Sequence, residues 1–370
     1  MRIENLSSRR PSLAVKIVAV PSCELSASLF IFLGDKFHPD LQLGKEWLDD
    51  IRAALSPDLH ADLERFSQGL EKGWMFLWPW QGESTADGTC ERFLARLAEA
   101  DPVTLRLALL GELGRPEAIP EGNDLIVRAA GGDVAALETC LALRDACAEV
   151  SEADFRARLA VDLEEDKQRL VSLITGWYEQ AFRRQEAELT AILERDAAAK
   201  RRLARRHTPV RQVELVTNGM QYVPEPGISR VLLLPSVVCR PWVLIGAYRE
   251  TKIFTYSVAE ESMSDAAPAA SARLLALTKA LADERRLQAL QLLANHGATL
   301  QELADALGVG KSLMHHHMVI LRAAGLVRVQ MGGDRHYQLR EETLASLPDL
   351  VRDFLARGAR TASPPAARVG

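Results

Sequence analysis

The pattern that most restricts this chain lies between Ser271 and Leu339, where apolar residues recur at helical spacing and the breaks fall where turns need them. Leu287, Leu290, Leu293 and Ala294 mark one helix, and Gly297 is placed to close it in the left-handed conformation. Thr299 followed by Glu302 is a capping box, in which each side chain serves the other residue's backbone amide and so opens the next helix. Gly308-Val309-Gly310 makes a turn, and a further helix runs from Lys311 to about Ala324. Two short helices joined by a glycine-bearing turn form a helix-turn-helix. After Gly325 the apolar period drops from helical spacing to alternation. LVRVQM and RHYQL flank Gly-Gly-Asp, a hairpin signature. The two together make a winged helix, with Arg335 at the hairpin tip.

The helix from Lys311 has two faces. Met314, Met318 and Leu321, at spacings of four and three, are a core stripe. Lys311, His315, Val319 and Arg322 form the opposite stripe, with Ser312 and His316 beside it. That outward stripe is nearly all hydrogen-bond donors, which suits phosphates and base edges. Lys311, Ser312, His315 and His316 are therefore expected in a major groove, Arg322 on a phosphate, and Arg335 on a phosphate or in the minor groove.

On these segments the region from 271 to about 357 resembles the ArsR-type winged helix-turn-helix of bacterial regulators. They are ALADERRLQALQLLANHG, ELADALGV, SLMHHHMVILRAAGLV and the wing. The resemblance implies operator binding as a homodimer, usually in repression, with Leu274 to Leu281 and the helix over 341–357 at the dimer interface. The family's recognition helix commonly carries Ser and Thr where this chain has Ser312 and Leu313, and Ser-His-His where it has His315-His316-His317. Leu313 and His315 depart from that pattern. Many relatives bind metals through a Cys-x-Cys on the first helix of the motif, but here Thr299 and Gln301 stand at those positions. Others hold zinc with Asp and His on the C-terminal helix, where this chain offers Asp349 and Asp353 but no His. Neither set of side chains matches the ligands that soft metals or zinc select.

At 370 residues the chain is too long for one winged helix of about 90 residues, so two or three domains are expected. A net charge of −5 excludes a basic nucleic-acid coat, yet residues 271–360 carry 12 Lys/Arg against 9 Asp/Glu, a net of +3. A slightly basic module on an acidic chain suits selective DNA binding. The five cysteines, Cys23, Cys90, Cys140, Cys147 and Cys239, form no CxxC, which points to a reducing cytoplasm. Lys16 interrupts the N-terminal apolar run, and Pro235, Arg240 and Pro241 break the run from Val231, so neither a signal peptide nor a transmembrane helix is expected.

In chain order, residues 13–20 read as a strand, 23–33 as a strand or a buried helix, and 41–55, 57–70, 90–112 and 133–149 as helices. Residues 152–206 read as one very long helix or a helix pair. After Pro209 short β-rich runs follow. The expected architecture is mainly α with small β elements (α+β). A sensory or dimerising domain spans 1–262, helical over 23–206 and β-rich over 211–258. A linker at 259–270, a winged helix at 271–358 and a disordered tail at 359–370 follow. The N-terminal half resembles, through CELSASLFIF and PSVVCRPW, an uncharacterised domain that precedes some ArsR-type winged helices.

Other candidate sites each have a plain alternative. Consecutive helical residues point about 100° apart, so His315, His316 and His317 cannot share one metal, and His317 is expected hydrogen-bonded in the interior. Cys140 and Cys147 lie about 10 Å apart along a helix, too far for one ion. The run from Lys200 to Arg211 either extends the DNA footprint or is a solvated helix end. Trp74, Trp78, Trp80, Trp177 and Tyr178 either line an effector pocket or pack a core. No P-loop, GxGxxG or GxSxG occurs, and no carboxylate pair has catalytic spacing.

The sequence thus reads as a DNA-binding transcriptional regulator. It is expected to be a cytoplasmic dimeric repressor without cofactor, metal or catalytic activity, controlled by an unidentified small-molecule effector. The alternative is a small-molecule-transforming N-terminal enzyme fused to an autoregulatory DNA-binding module.

Overall fold

The computed structural model describes residues 13–34, 38–39, 41–68, 74, 77, 88–109, 122–143, 152–248, 250–263, 269–331 and 335–361. The architecture is α+β, mainly helical with two small four-stranded sheets. The chain divides into two compact units, Met1–Arg201 with Pro224–Ser257, and Arg202–Val223 with Val258–Gly370. This corrects the expected boundary, because residues 202–223 belong with the winged helix rather than with the N-terminal unit. The segment is tied there by backbone pairing of residues 219–221 with residues 329–331.

In the first unit, β1 (Ala14–Ile17) leads into α1 (Pro21–Leu33), so the ambiguous run from residue 23 is a helix. Pro21 at its first position has the fixed φ that a helix start needs. From Ser22 to Phe32 every residue of α1 is buried, which is why its sequence shows no polar face. The helices α2 (Gly44–Ala54) and α3 (Pro57–Ser67) follow. The stretch expected as one helix over 90–112 is two, α4 (Cys90–Glu99) and α5 (Pro102–Leu109), because Pro102 starts a new first turn. Next come α6 (Gly122–Ala130) and α7 (Val134–Leu143).

Residues 152–206 are neither one helix nor a pair. They fold as α8 (Glu152–Leu159), α9 (Leu163–Trp177), a π-helical segment Tyr178–Phe182, and α10 (Glu186–Ala204). Asp162 starts α9 by accepting the amides of Glu164 and Glu165, which breaks the run of helix formers.

After these helices, β2 (Met220–Gln221) pairs within the second unit, described below. In the first unit β3 (Arg230–Ser236), β4 (Leu244–Tyr248) and β5 (Thr251–Ser257) join β1 in the order β1-β3-β5-β4. The first three strands are parallel and β4 is antiparallel at the edge. β3 is buried from Val231 to Ser236, as its unbroken apolar run requires. Glu24 on α1 accepts the amides of Val237 and Val238 at 2.8 and 2.9 Å, tying the helix to the end of β3. Among the described residues its other oxygen has no hydrogen-bond partner, and burial raises the carboxyl to about 7. Elsewhere in this unit Asp166 is held between Arg106 at 2.7 Å and Arg158 at 3.0 Å, all three buried.

The second unit begins with α11 (Pro209–Val216). QVELV was expected as a β-rich run, and its alternation gave that reading. Pro209 at the helix start and the buried pair Val213 and Val216, three apart, hold it helical instead. After the short helix α12 (Glu260–Met263) come α13 (Ala269–Leu281) and α14 (Glu284–Asn295). The expected linker at 259–270 is thus helical at both ends, while 264–268 lie outside the described residues. Next come β6 (Ala298–Thr299), α15 (Leu300–Ala306), α16 (Lys311–Ala323), β7 (Val327–Gln330) and β8 (His336–Leu339). The chain ends with α17 (Glu341–Ala345) and α18 (Leu347–Thr361). The tail expected from 359 is helical to Thr361, and the rest lies outside the described residues. The second sheet has the order β2-β7-β8-β6, with β2 parallel to β7.

Candidate nucleic-acid interface

The local signals of the helix-turn-helix fold as their chemistry dictates. Thr299 and Glu302 form a complete capping box. The Glu302 amide donates to Thr299 Oγ1 at 3.2 Å, and the Thr299 amide to Glu302 Oε2 at 2.7 Å. Those bonds from Thr299 hold the Glu302 carboxyl below its ordinary range. Gly308 takes φ +62 in the turn, with open space where a Cβ would sit. The preceding helix does not close as expected. α14 ends at Asn295 with His296 extended, and Gly297 is not among the left-handed glycines.

In α16 Met314, Met318 and Leu321 are buried, so the sulfur-and-leucine underside packs as the spacing predicts. Lys311, Ser312, Leu313 and His315 are exposed, and His316 is half-buried. Gly310, at the N-cap, has nothing within 4 Å of an added Cβ, so the amino end of the helix is open to an approaching base edge. The wing carries Arg335 exposed next to β8; its tip, 332–334, lies outside the described residues.

Arg322 is a correction. It was expected on a phosphate, but it is buried, and its Nη1 donates to the Thr217 carbonyl at 2.9 Å. Burial lowers its guanidinium to about 10. At 100° per residue Arg322 lies on the outward stripe, between Lys311 and His315, but two to three turns further along the helix. The docking of residues 217–221 covers it and takes it out of solvent. His317 is buried as expected, but the expected hydrogen bond is not made. Among the described residues neither ring nitrogen has a hydrogen-bond partner, and Nδ1 stands 3.9 Å from Asp283 Oδ1. Burial lowers its pKa, opposed in part by Asp283.

The feature that sequence reasoning missed is the strap Thr217-Asn218-Gly219. Asn218, at φ +56, donates to the Ala323 carbonyl at 2.8 Å and accepts from Arg340 Nη1 at 2.9 Å. The Val329 amide donates to the Gly219 carbonyl at 2.8 Å, and the Met331 amide to Gln221 at 2.8 Å. A Cβ on Gly219 would lie 2.8 Å from the Val327 carbonyl, so only glycine admits this approach. Asn-Gly directly after an apolar helix was the available signal, since Asn and Gly favour left-handed turns.

α13 and α18 pack against each other. Leu277 and Ala280 are buried, whereas Leu275, Val351, Phe354 and Leu355 are exposed. Arg202, Arg205 and Arg206 of the basic run are exposed and belong to this unit.

Of the aromatic candidates, Trp74, Trp177 and Tyr178 are buried. Trp177 is buried, donates to Ser28 Oγ at 3.0 Å and tilts against Phe32. Trp74 is buried, donates to Ser67 Oγ at 3.0 Å and packs on Phe66. Tyr178 is buried with its hydroxyl on Glu186 Oε2 at 2.8 Å. The satisfied indoles leave none of the three presenting a free polar edge to an effector. Trp78 and Trp80 lie outside the described residues. Cys140 is buried, and Cys147 likewise lies outside them.

A capping-box helix, a glycine turn, a two-faced helix and a hairpin define a winged helix-turn-helix, the class of module that DNA-binding regulators use. Residues 283–329 match the family model described as bacterial regulatory protein, arsR family. The C-terminal part of the chain therefore carries an ArsR-family winged helix-turn-helix. Searches of curated proteins and of solved structures return no match. Among the described residues no helix is long and apolar enough to cross a membrane.

Proposed function

We propose that this protein is a sequence-specific, DNA-binding transcriptional repressor that works as a homodimer in the cytoplasm and is not an enzyme. The observation that carries the reading is α16. Its buried Met314, Met318 and Leu321 hold Lys311, Ser312 and His315 outward at an amino end left open by Gly310. Lys311 supplies charge to phosphate, while Ser312, His315 and His316 offer donors and acceptors to base edges in the major groove. Arg335 adds a phosphate or minor-groove contact from the wing. The exposed apolar set Leu275, Val351, Phe354 and Leu355 favours a second copy as the partner of α13 and α18. Two copies would then read half-sites one or two helical turns apart.

Control by a small-molecule effector through the first unit completes the proposal. Such an effector must bind the DNA-competent and incompetent states with unequal affinity. The test is selection of bound duplexes from random DNA by the full chain, followed by gel shifts on the selected site and on the protein's own promoter region. The reading expects one recurring site, with two half-sites, and a changed preference in the double variant Ser312→Ala, His316→Ala. Recovery of no enriched sequence would refute it.

A further inference from the structure

We propose that Leu313 reads the 5-methyl group of a thymine in the major groove, an inference that rests on the DNA-binding reading above. Leu313 lies in the first turn of α16, directly after Lys311 and Ser312, and all three are exposed. Its side chain is 40% exposed, whereas the next residue, Met314, is fully buried. Leu313 therefore keeps apolar surface in solvent that the buried underside of the helix does not cover. It also lies on a different helix from the exposed apolar residues of α13 and α18.

A single exposed leucine on a surface is ordinary. This one stands where a helix-turn-helix meets base edges, since the amino-terminal residues of the recognition helix make those contacts. Beside it Ser312, and His316 three residues on along the same side of the helix, can pair with hydrogen-bonding edges, and a leucine cannot. The only base feature in the major groove that rewards an apolar side chain is the thymine methyl. The open space at Gly310 allows the approach. Leu313 thus specifies a thymine by desolvation, next to positions specified by hydrogen bonds.

The experiment uses the full-length chain and its selected duplex. Each thymine is replaced in turn by deoxyuridine, which keeps every hydrogen-bonding group and lacks the methyl. One thymine per half-site should show a loss of affinity of about fourfold, the factor that corresponds to about 0.8 kcal/mol for one buried methyl-sized group. The same replacement should change nothing for Leu313→Ala, which is an exposed position and leaves the fold intact. Equal affinity for thymine and uracil at every position, or a discrimination that survives in Leu313→Ala, overturns the inference and leaves DNA binding standing. If the unaltered chain binds no duplex at all, the underlying reading falls with it.

Discussion

Arg322 separates a structural role from a DNA-contacting one. Arg322→Ala removes a charged donor from the Thr217 carbonyl, and a hydrogen bond to a charged group contributes about 1.5–3 kcal/mol. It also removes two buried methylenes, Cγ and Cδ, about 0.8 kcal/mol each. Against this, the guanidinium is lowered from 12.5 to about 10 by burial, a cost on the order of 3 kcal/mol that the alanine no longer bears. The remainder is a destabilisation of up to about 1.5 kcal/mol, while Arg322→Met, which keeps the stem, should be close to neutral.

Hydrogen exchange at the amides of Val329 and Met331, which pair with the strap, reads this directly. Exchange should quicken by up to roughly tenfold in Arg322→Ala and little in Arg322→Met. The salt dependence of DNA binding should be the same for Arg322→Met as for the unaltered chain. A phosphate contact would instead flatten the slope of log affinity against log salt by about 0.9. Unchanged exchange in Arg322→Ala together with a flattened slope in Arg322→Met would refute the buried tether.

The exposed Arg335 should show the opposite behaviour, with Arg335→Ala leaving exchange alone and reducing the salt slope by about 0.9 in titrations of affinity against salt. Phe354→Asp should dissociate the homodimer, seen as halved mass by light scattering, and an unchanged mass would remove α18 from the interface. Thr299→Ala breaks the capping box and should cost about 1 kcal/mol in denaturant unfolding of the second unit. Glu24 is raised to about 7 from 4.5, so the folded state holds its proton more tightly than the unfolded chain does. Its stabilising contribution is full below about 4.5 and is lost as pH rises through about 7. Denaturation of the first unit across that window should show the fall, on the order of 3 kcal/mol, and Glu24→Gln should abolish it.

The winged helix was legible because its signals are local. Thr299 and Glu302 are three residues apart, Met314, Met318 and Leu321 share one helical face, and the period changes once after Gly325. Each acts within a turn or two of backbone, so the sequence alone determined this module, the outward Lys311, Ser312 and His315, and the α+β class. The first unit was less legible. α1 is buried on every side, so its sequence has no periodicity to tell helix from strand. Asp162 and Pro102 each split a run of helix formers that composition alone would have continued.

Only the tertiary structure decided where residues 202–223 belong and what becomes of Arg322. Both turn on pairings across about a hundred residues of chain, Arg322 to Thr217 and Asn218 to Ala323. An arginine on a helix is written the same way whether it meets solvent, a phosphate or a carbonyl on another segment. The difference is the desolvation imposed by whatever packs over it, and that is a property of the assembled fold rather than of any stretch of sequence.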